Sequence, residues 1–482
     1  MRLSVPYLPE KGPEMRKWWP LVAVCLGSFM LIVDTTVVTV ALPDMAGSLG
    51  ASLAHLQWVM NIYTLALAVM TLSAGSLGDL FGQRKVFVTS LVIFAGASLL
   101  CGLAQNAEVL IAARALQGVG GAAMIGTTLA VLGSSYSGKE RGSAIGVWAG
   151  VLGIAAAAGP MLGGLLTQYL SWRAIFFINL PVSVVTLVLA LLSIGDSARR
   201  EGARIDFAGM LTFAVFASAL TYGLIRAGEH GDWTSAPTLS TFAVAVVALV
   251  AFVLVEQRQE HPMLDIALFR SASFTVIMLC VVATSVSFAS LVYTSIWLQN
   301  VLGLDALATG IALIPMALTS FLASTFIGKR LHNVAPKISI GTGLLLIGLG
   351  SGVVGLVVDG GSSWYAIAPG LVLIGAGVGI SGPGTNGAVL ASVPPERGGM
   401  ASGAMATFRQ FGQALGVAVL GLVYVAATEI PGQDARSAAA AGIDQVYLVT
   451  AGLSLLACLF AFAVVRGAAP KPAGAAPAGA RG

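Results

Sequence analysis

The chain reads as an all-α, polytopic membrane protein with fourteen spans. Three observations carry that reading. First, the 482 residues are 57% hydrophobic and only 10% charged, where a soluble domain carries about 25% charged residues. Second, the apolar residues fall in runs of roughly 20, the length a helix needs to cross about 30 Å of hydrocarbon. They lack the apolar/polar alternation of barrel strands. Third, the basic residues sort by side once fourteen spans are drawn.

The spans fall at 20–42, 56–78, 86–104, 108–133, 142–168, 174–195, 208–226, 238–256, 273–298, 306–327, 338–358, 364–391, 400–427 and 446–466. The 59 glycines suit this class, because small residues let membrane helices approach closely. The first apolar run is followed by no small-residue cleavage site, so it reads as a retained helix. The segments before and after the spans, 1–19 and 467–482, read as tails, the second Ala/Pro/Gly-rich and disordered. The polar, basic stretch from Asp196 to Asp206 reads as a linker.

Of the 25 Lys and Arg, 20 fall in one set of loops and the tails. Arg173, Arg226 and Arg436 fall in the opposite loops, and Arg114 and Arg409 lie inside spans. A wrong span count would scramble this split. The positive-inside rule puts both termini in the cytoplasm. Trp18, Trp19, Trp172, Trp233 and Trp364 lie near span ends, as interfacial anchors do.

The halves repeat. Glu140-Arg141-Gly142 opens the fifth span and Glu396-Arg397-Gly398 the thirteenth; Gly75–Lys85 joins spans two and three as Gly328–Lys337 joins ten and eleven. Short Gly/Arg strings can match by chance, but two anchors at nearly one offset favour duplicated six-helix halves. Residues 20–195 and 261–466 would then be two bundles, and 196–260 a linker with two inserted helices.

Asp34 is the acidic residue set well inside an apolar run, in Leu31-Ile32-Val33-Asp34-Thr35-Thr36-Val37. A carboxylate there costs about 2.5–3.5 kcal/mol on insertion scales, and the default reading is an ion or proton site. Asp34 lies nine residues before Pro43, roughly 13 Å from the expected outer end of its span. Arg114 lies about six residues inside span four, roughly 9–10 Å deep. Similar depths allow a pairing or proton relay; a snorkelling Arg114 is the alternative.

Gly75-Ser76-Leu77-Gly78-Asp79-Leu80-Phe81-Gly82-Gln83-Arg84-Lys85 resembles the signature loop of the major facilitator superfamily. Leu80 and Gln83 depart from it, standing where that family usually has basic residues. The resemblance implies two six-helix bundles plus two inserted helices, and a conformational latch at Gly75, Asp79, Gly82, Arg84 and Arg141. The glycines permit a tight turn, and Asp79 can accept from a helix N-terminus or pair with Arg141.

Further strings resemble the fourteen-span drug:proton antiporters. Asp34-Thr35-Thr36-Val37-Val38-Thr39-Val40-Ala41-Leu42-Pro43 is similar to their first-helix motif, with Thr39 where they usually have Asn. Arg114-Ala115-Leu116-Gln117-Gly118-Val119-Gly120 is similar to the fourth-helix motif. Gly159-Pro160-Met161-Leu162-Gly163-Gly164 resembles the fifth-helix antiporter motif that marks exporters. Trp172-Arg173 through Asn179-Leu180-Pro181, and Arg409-Gln410, also fit. Gly159-Pro160 would in any case kink its helix.

The resemblance implies proton-coupled export of small hydrophobic or amphipathic compounds by alternating access, at the plasma membrane, with Asp34 and Arg114 coupling the proton. An importer or facilitator of a small metabolite is the alternative. Thr36, Asn61, Tyr63, Trp148, Tyr293, Trp297, Asn386, Phe408, Arg409 and Gln410 are the candidate cavity residues; helix packing is the competing role for each. The expected partners are substrate, protons and lipid, with no nucleic acid, and the chain is expected to work as a monomer.

An enzyme is disfavoured, for no catalytic triad or soluble domain is visible. Cys25, Cys101, Cys280 and Cys458 sit in apolar segments as buried hydrophobes; His55, His230, His261 and His332 form no cluster. No cofactor is expected beyond the coupling proton. Gly375-Ala376-Gly377-Val378-Gly379 is followed by no Lys-Ser/Thr, so a phosphate loop is excluded.

Overall fold

The computed structural model describes residues 17–195, 205–260, 262–327, 334–359, 361–394, 397–428 and 434–465. The expectations for both tails and most of the linker fall outside these. Among the described residues, 14 helices are long and apolar enough to cross a membrane.

The first six are α1 (Trp19–Leu49), α2 (Leu53–Phe81), α3 (Gln83–Leu103), α4 (Ala107–Ser135), α5 (Gly138–Tyr169) and α6 (Asn179–Ser193), the last preceded by a single turn at Ala174–Phe177. Next come α7 (Phe207–His230) and α8 (Ala236–Arg258). The last six are α9 (Ala272–Asn300), α10 (Ala306–Leu322), α11 (Pro336–Val357), α12 (Ala368–Ala391), α13 (Gly398–Thr428) and α14 (Ala435–Val464).

Local chemistry sets the ends. Ser52 and His55 form a capping box at α2; Asn106, Asp305 and Asp434 cap α4, α10 and α14. Gly50, at φ 60°, ends α1 in the left-handed region. Gly82 is the single residue between α2 and α3, and its φ of 93° is open to glycine at little cost.

Two boundaries depart from expectation. α1 runs through Pro43 to Leu49, because buried packing carries the helix past one missing N–H. Asp34 therefore lies midway along α1, fifteen residues from either end, roughly 22 Å. α14 starts at Ala435, eleven residues before the expected 446. Its first turns are alanine-rich with Arg436 and Asp444, good helix formers too polar to read as hydrocarbon.

α1–α6 pack as one bundle and α9–α14 as another. The inserted α7 and α8 pack on each other, and α7 lies against the seam between α2 and α13, where Leu65, Ala217 and Ala414 meet. An ion pair ties each bundle at matching places. Lys17, just before α1, bonds Glu140 at the start of α5; Asp265, just before α9, bonds Arg397 beside the start of α13. The repeat keeps the position and reverses the signs.

The two faces of the molecule differ. On the basic side, the side of Lys17 and Gly82, apolar residues separate into a cluster belonging to the first bundle and one belonging mainly to the second. On the far side one cluster spans both, joining Val37, Met45 and Met60 to Val292, Trp297 and Ala306. Polar contacts seal it: Gln299 Nε2 donates to the Val40 carbonyl at 2.8 Å, and Gln57 Nε2 donates to Tyr293 Oη at 3.0 Å. The bundles thus share one broad apolar cluster on the far side, whereas towards the basic side they touch through α2 and α13, at Ala68 and Thr407 and at Leu72 and Gly403.

Candidate functional site

Four helices of the first bundle converge on Asp34. The α1 carboxylate is fully buried and pairs with the equally buried Arg114 of α4. Gln117, one turn further along α4, donates through Nε2 to Asp34 Oδ1 and to Ser98 Oγ of α3, each at 2.8 Å, while its Oε1 accepts from Arg114 Nη1 at 2.7 Å. Asn179, at the start of α6, donates through Nδ2 to Asp34 Oδ1 at 3.2 Å and to Ser98 Oγ at 3.3 Å. Arg114 Nε donates to the Val59 carbonyl of α2 at 3.2 Å, and its guanidinium sits 4.0 Å from the Tyr63 ring centroid.

Each contact has a physical reason. A bare ion in hydrocarbon is costly, so the pair neutralises itself and recruits amides for the remaining lone pairs. The planar guanidinium can bond and stack at once, which an ammonium could not. Cover is incomplete: Arg114 Nη2 has no hydrogen-bond partner. The sequence suggested the Asp34–Arg114 pair but left out Gln117, Ser98 and Asn179 as site residues. The signal for Gln117 was its i+3 spacing from Arg114, which puts both on one helix face. Ser98 carried none.

The glycines of the 159–164 segment hold α5 between two helices. A Cβ on Gly159 would overlap Thr36 Oγ1 of α1, and one on Gly163 would lie 2.8 Å from the Val37 carbonyl. Gly164 faces the other bundle: its Cβ would lie 2.5 Å from the Ala306 carbonyl of α10. Gly310 of α10 returns the contact, tight against the Pro160 carbonyl. These positions need glycine for close approach across helices.

The loop around Gly82 stands differently. Gly75 falls within α2, and Asp79 accepts from Gln83 Nε2 at 3.2 Å. Arg84 donates to the Leu191 carbonyl at 2.7 Å. Arg141 packs against Gly133 of α4 and forms no ion pair with Asp79. Both lie in the first bundle, so it is the packing within that bundle that leaves these two groups unpaired.

The candidate cavity residues divide into four groups. Tyr293 and Trp297 are buried in the far-side seal, where the Tyr293 hydroxyl also donates to the Val417 carbonyl. Thr36, Tyr63 and Trp148 belong to first-bundle packing: Thr36 bonds its own helix, Tyr63 lies under Arg114, and Trp148 Nε1 donates to Ser28 Oγ at 2.9 Å. Asn61, one turn below Gln57, is fully buried with neither amide atom hydrogen-bonded. Asn386 and Arg409 are exposed, Gln410 is half-buried, and the half-buried Phe408 packs at a tilt against Phe269, ring centroids 5.8 Å apart.

Residues 24–417 match the family model described as Major Facilitator Superfamily. The chain is 36% identical over 409 residues to "Multidrug resistance protein Stp" of Mycobacterium tuberculosis (strain CDC 1551 / Oshkosh), covering 84% of this chain and 75% of that protein. It is 35% identical to "Tetracenomycin C resistance and export protein" of Streptomyces glaucescens (87% and 78% covered). It is 33% identical to "Puromycin resistance protein pur8" of Streptomyces alboniger (90% and 87%). Among solved structures it resembles a bacterial homologue of the human lysosomal transporter Spinster, with a TM-score of 0.66, 16% identity, and 94% of this chain and 98% of that one covered.

Proposed function

The chain belongs to the major facilitator superfamily, and from that premise we propose that it exports small amphipathic compounds, antibiotics among them, in exchange for protons. The observation that carries the proton half is the sealed Asp34–Arg114 pair halfway along α1. The relatives named for multidrug or antibiotic resistance support the substrate half.

On this reading the basic side is cytoplasmic and the far side extracellular, which makes the present conformer open inward. Its ionised pair is then the state that follows proton release to the cytoplasm. Protonating Asp34 would remove one charge of the pair and leave Arg114 buried and unbalanced, a state several kcal/mol less stable. Relief comes by rearranging α1. Asp34 lies two and three residues from Thr36 and Val37, which seat Gly159 and Gly163 of α5; α5 in turn seats Ala306 through Gly164. A shift of α1 therefore bears on the α5–α10 contact that helps close the far side. The gradient supplies about 2.3 kcal/mol per charge per 100 mV and about 1.36 kcal/mol per pH unit.

The test is uptake into inverted membrane vesicles, comparing wild type with Asp34→Asn over a panel of fluorescent and antibiotic compounds. Uptake that collapses with an uncoupler and is absent in Asp34→Asn is expected. Unchanged gradient-driven uptake in Asp34→Asn removes Asp34 from coupling; accumulation of substrate by intact cells turns the direction to import.

A further inference from the structure

Arg409 is a cation the coupling network does not use. It is the twelfth residue of the 31-residue α13, roughly 16 Å along the helix from its basic-side end. Its side chain is solvent-accessible, and a full charge this far along a span is too costly to face lipid, which assigns it to the internal face of the molecule. The helix faces agree. α13 meets α2 through Thr407, whose hydroxyl donates to the Ala68 carbonyl at 2.9 Å. It meets α9 through Gly412 and Gly416, and α7 through Phe411. Ser402, Ala406, Arg409 and Gln413, at spacings of four, three and four, form a partly exposed stripe that runs on to Gly416, where α13 meets α9. A polar stripe with a full charge is excluded from lipid contact by its cost.

No ion pair or hydrogen bond holds Arg409 among the described residues. Asp34, midway along α1, is sealed and already spent on Arg114. Among the described residues no acid pairs with the Arg409 guanidinium. Guanidinium groups remain charged and bind carboxylates through two parallel hydrogen bonds.

Resting on the exporter reading, we propose that Arg409 selects substrates with an acidic group: its guanidinium takes the carboxylate of an amphipathic acid, with Gln413 one turn along the same face. Cationic drugs meet a like charge and are disfavoured. Exporting a monoanion against one proton moves two charges, so uptake of the acid into inverted vesicles depends more steeply on voltage than that of a neutral analogue.

The test is equilibrium binding to the purified full-length protein of three probes with one aromatic body: 1-pyrenebutyrate, its methyl ester and the corresponding pyrenyl amine. The wild type is expected to bind the acid about tenfold tighter than the ester, and the amine weakest. Arg409→Gln should bring the acid level with the ester, and Arg409→Lys should keep part of the preference, with thermal unfolding confirming that each variant folds. Wild type that fails to bind the acid or to prefer it, or a preference that survives Arg409→Gln, overturns the proposal. Neither result depends on coupling, so the exporter reading stands or falls separately on uncoupler-sensitive uptake.

Discussion

Asp34 and Arg114 form a unit whose parts cannot be removed singly without cost. Asp34→Asn leaves a buried guanidinium without its counter-charge, a loss of about 3–5 kcal/mol for a buried pair. The double variant Asp34→Asn, Arg114→Gln removes both charges. Thermal unfolding in detergent should show the single variant strongly destabilised and the double variant recovering much of the loss, while neither drives uptake. A double variant as unstable as the single one would mean that packing, and not charge, dominates the site. Gln117→Leu probes the amide cover: it strips one hydrogen bond from Asp34, one from Ser98 and one acceptor from Arg114. Lower thermal stability and weaker uncoupler-sensitive uptake are expected together, since buried polar atoms lose their partners.

At the level of helices, α5 separates two kinds of glycine. Gly163 packs within its bundle against α1, and Gly164 across to α10. Gly163→Ala is expected to lower thermal stability, because the Val37 carbonyl must move. Gly164→Ala is expected to leave bundle stability nearly intact and to block far-side closure, read as reduced transport with increased far-side labelling of a cysteine at position 299. Equal loss of stability in both would remove the distinction. α14 gives a boundary prediction. Its N-cap, Asp434, accepts from the Ser437 N–H, and Ser437 holds its carboxyl below the ordinary value. A lowered folded pKa stabilises above the unfolded value and is lost as pH falls through the folded one. The first turn of α14 should therefore stay capped at neutral pH and fray only below the usual carboxylate range, about pH 4; Asp434→Ala should fray it at neutral pH, seen as faster amide exchange over residues 435–438.

For the whole molecule, one asymmetry governs: a single apolar cluster joins the bundles on the far side, while on the basic side the apolar residues fall in two clusters. The seal turns on Tyr293, which accepts from Gln57 and donates to Val417. Tyr293→Phe removes both bonds and should raise far-side accessibility, measured by labelling a cysteine at position 302 from outside cells. Unchanged labelling would assign closure to the apolar cluster alone.

The sequence by itself determined the class and the fourteen spans, and it suggested the repeat and a pairing of Asp34 with Arg114. These follow from hydrophobic run length, charge placement and the cost of an ion in hydrocarbon, all local or compositional properties. Span ends were less legible where Pro43 failed to stop α1 and where α14 began in polar, alanine-rich residues, because tertiary packing overrides local propensity there. Tertiary structure alone brought Ser98 and Asn179 to Asp34, moved Tyr293 and Trp297 into the seal, and parted Asp79 from Arg141. It also left the exposed Arg409 without an ion pair among the described residues. Those outcomes depend on which helix faces meet across hundreds of residues, and on which of two bundle arrangements the molecule occupies. Spacing along a single helix carries neither.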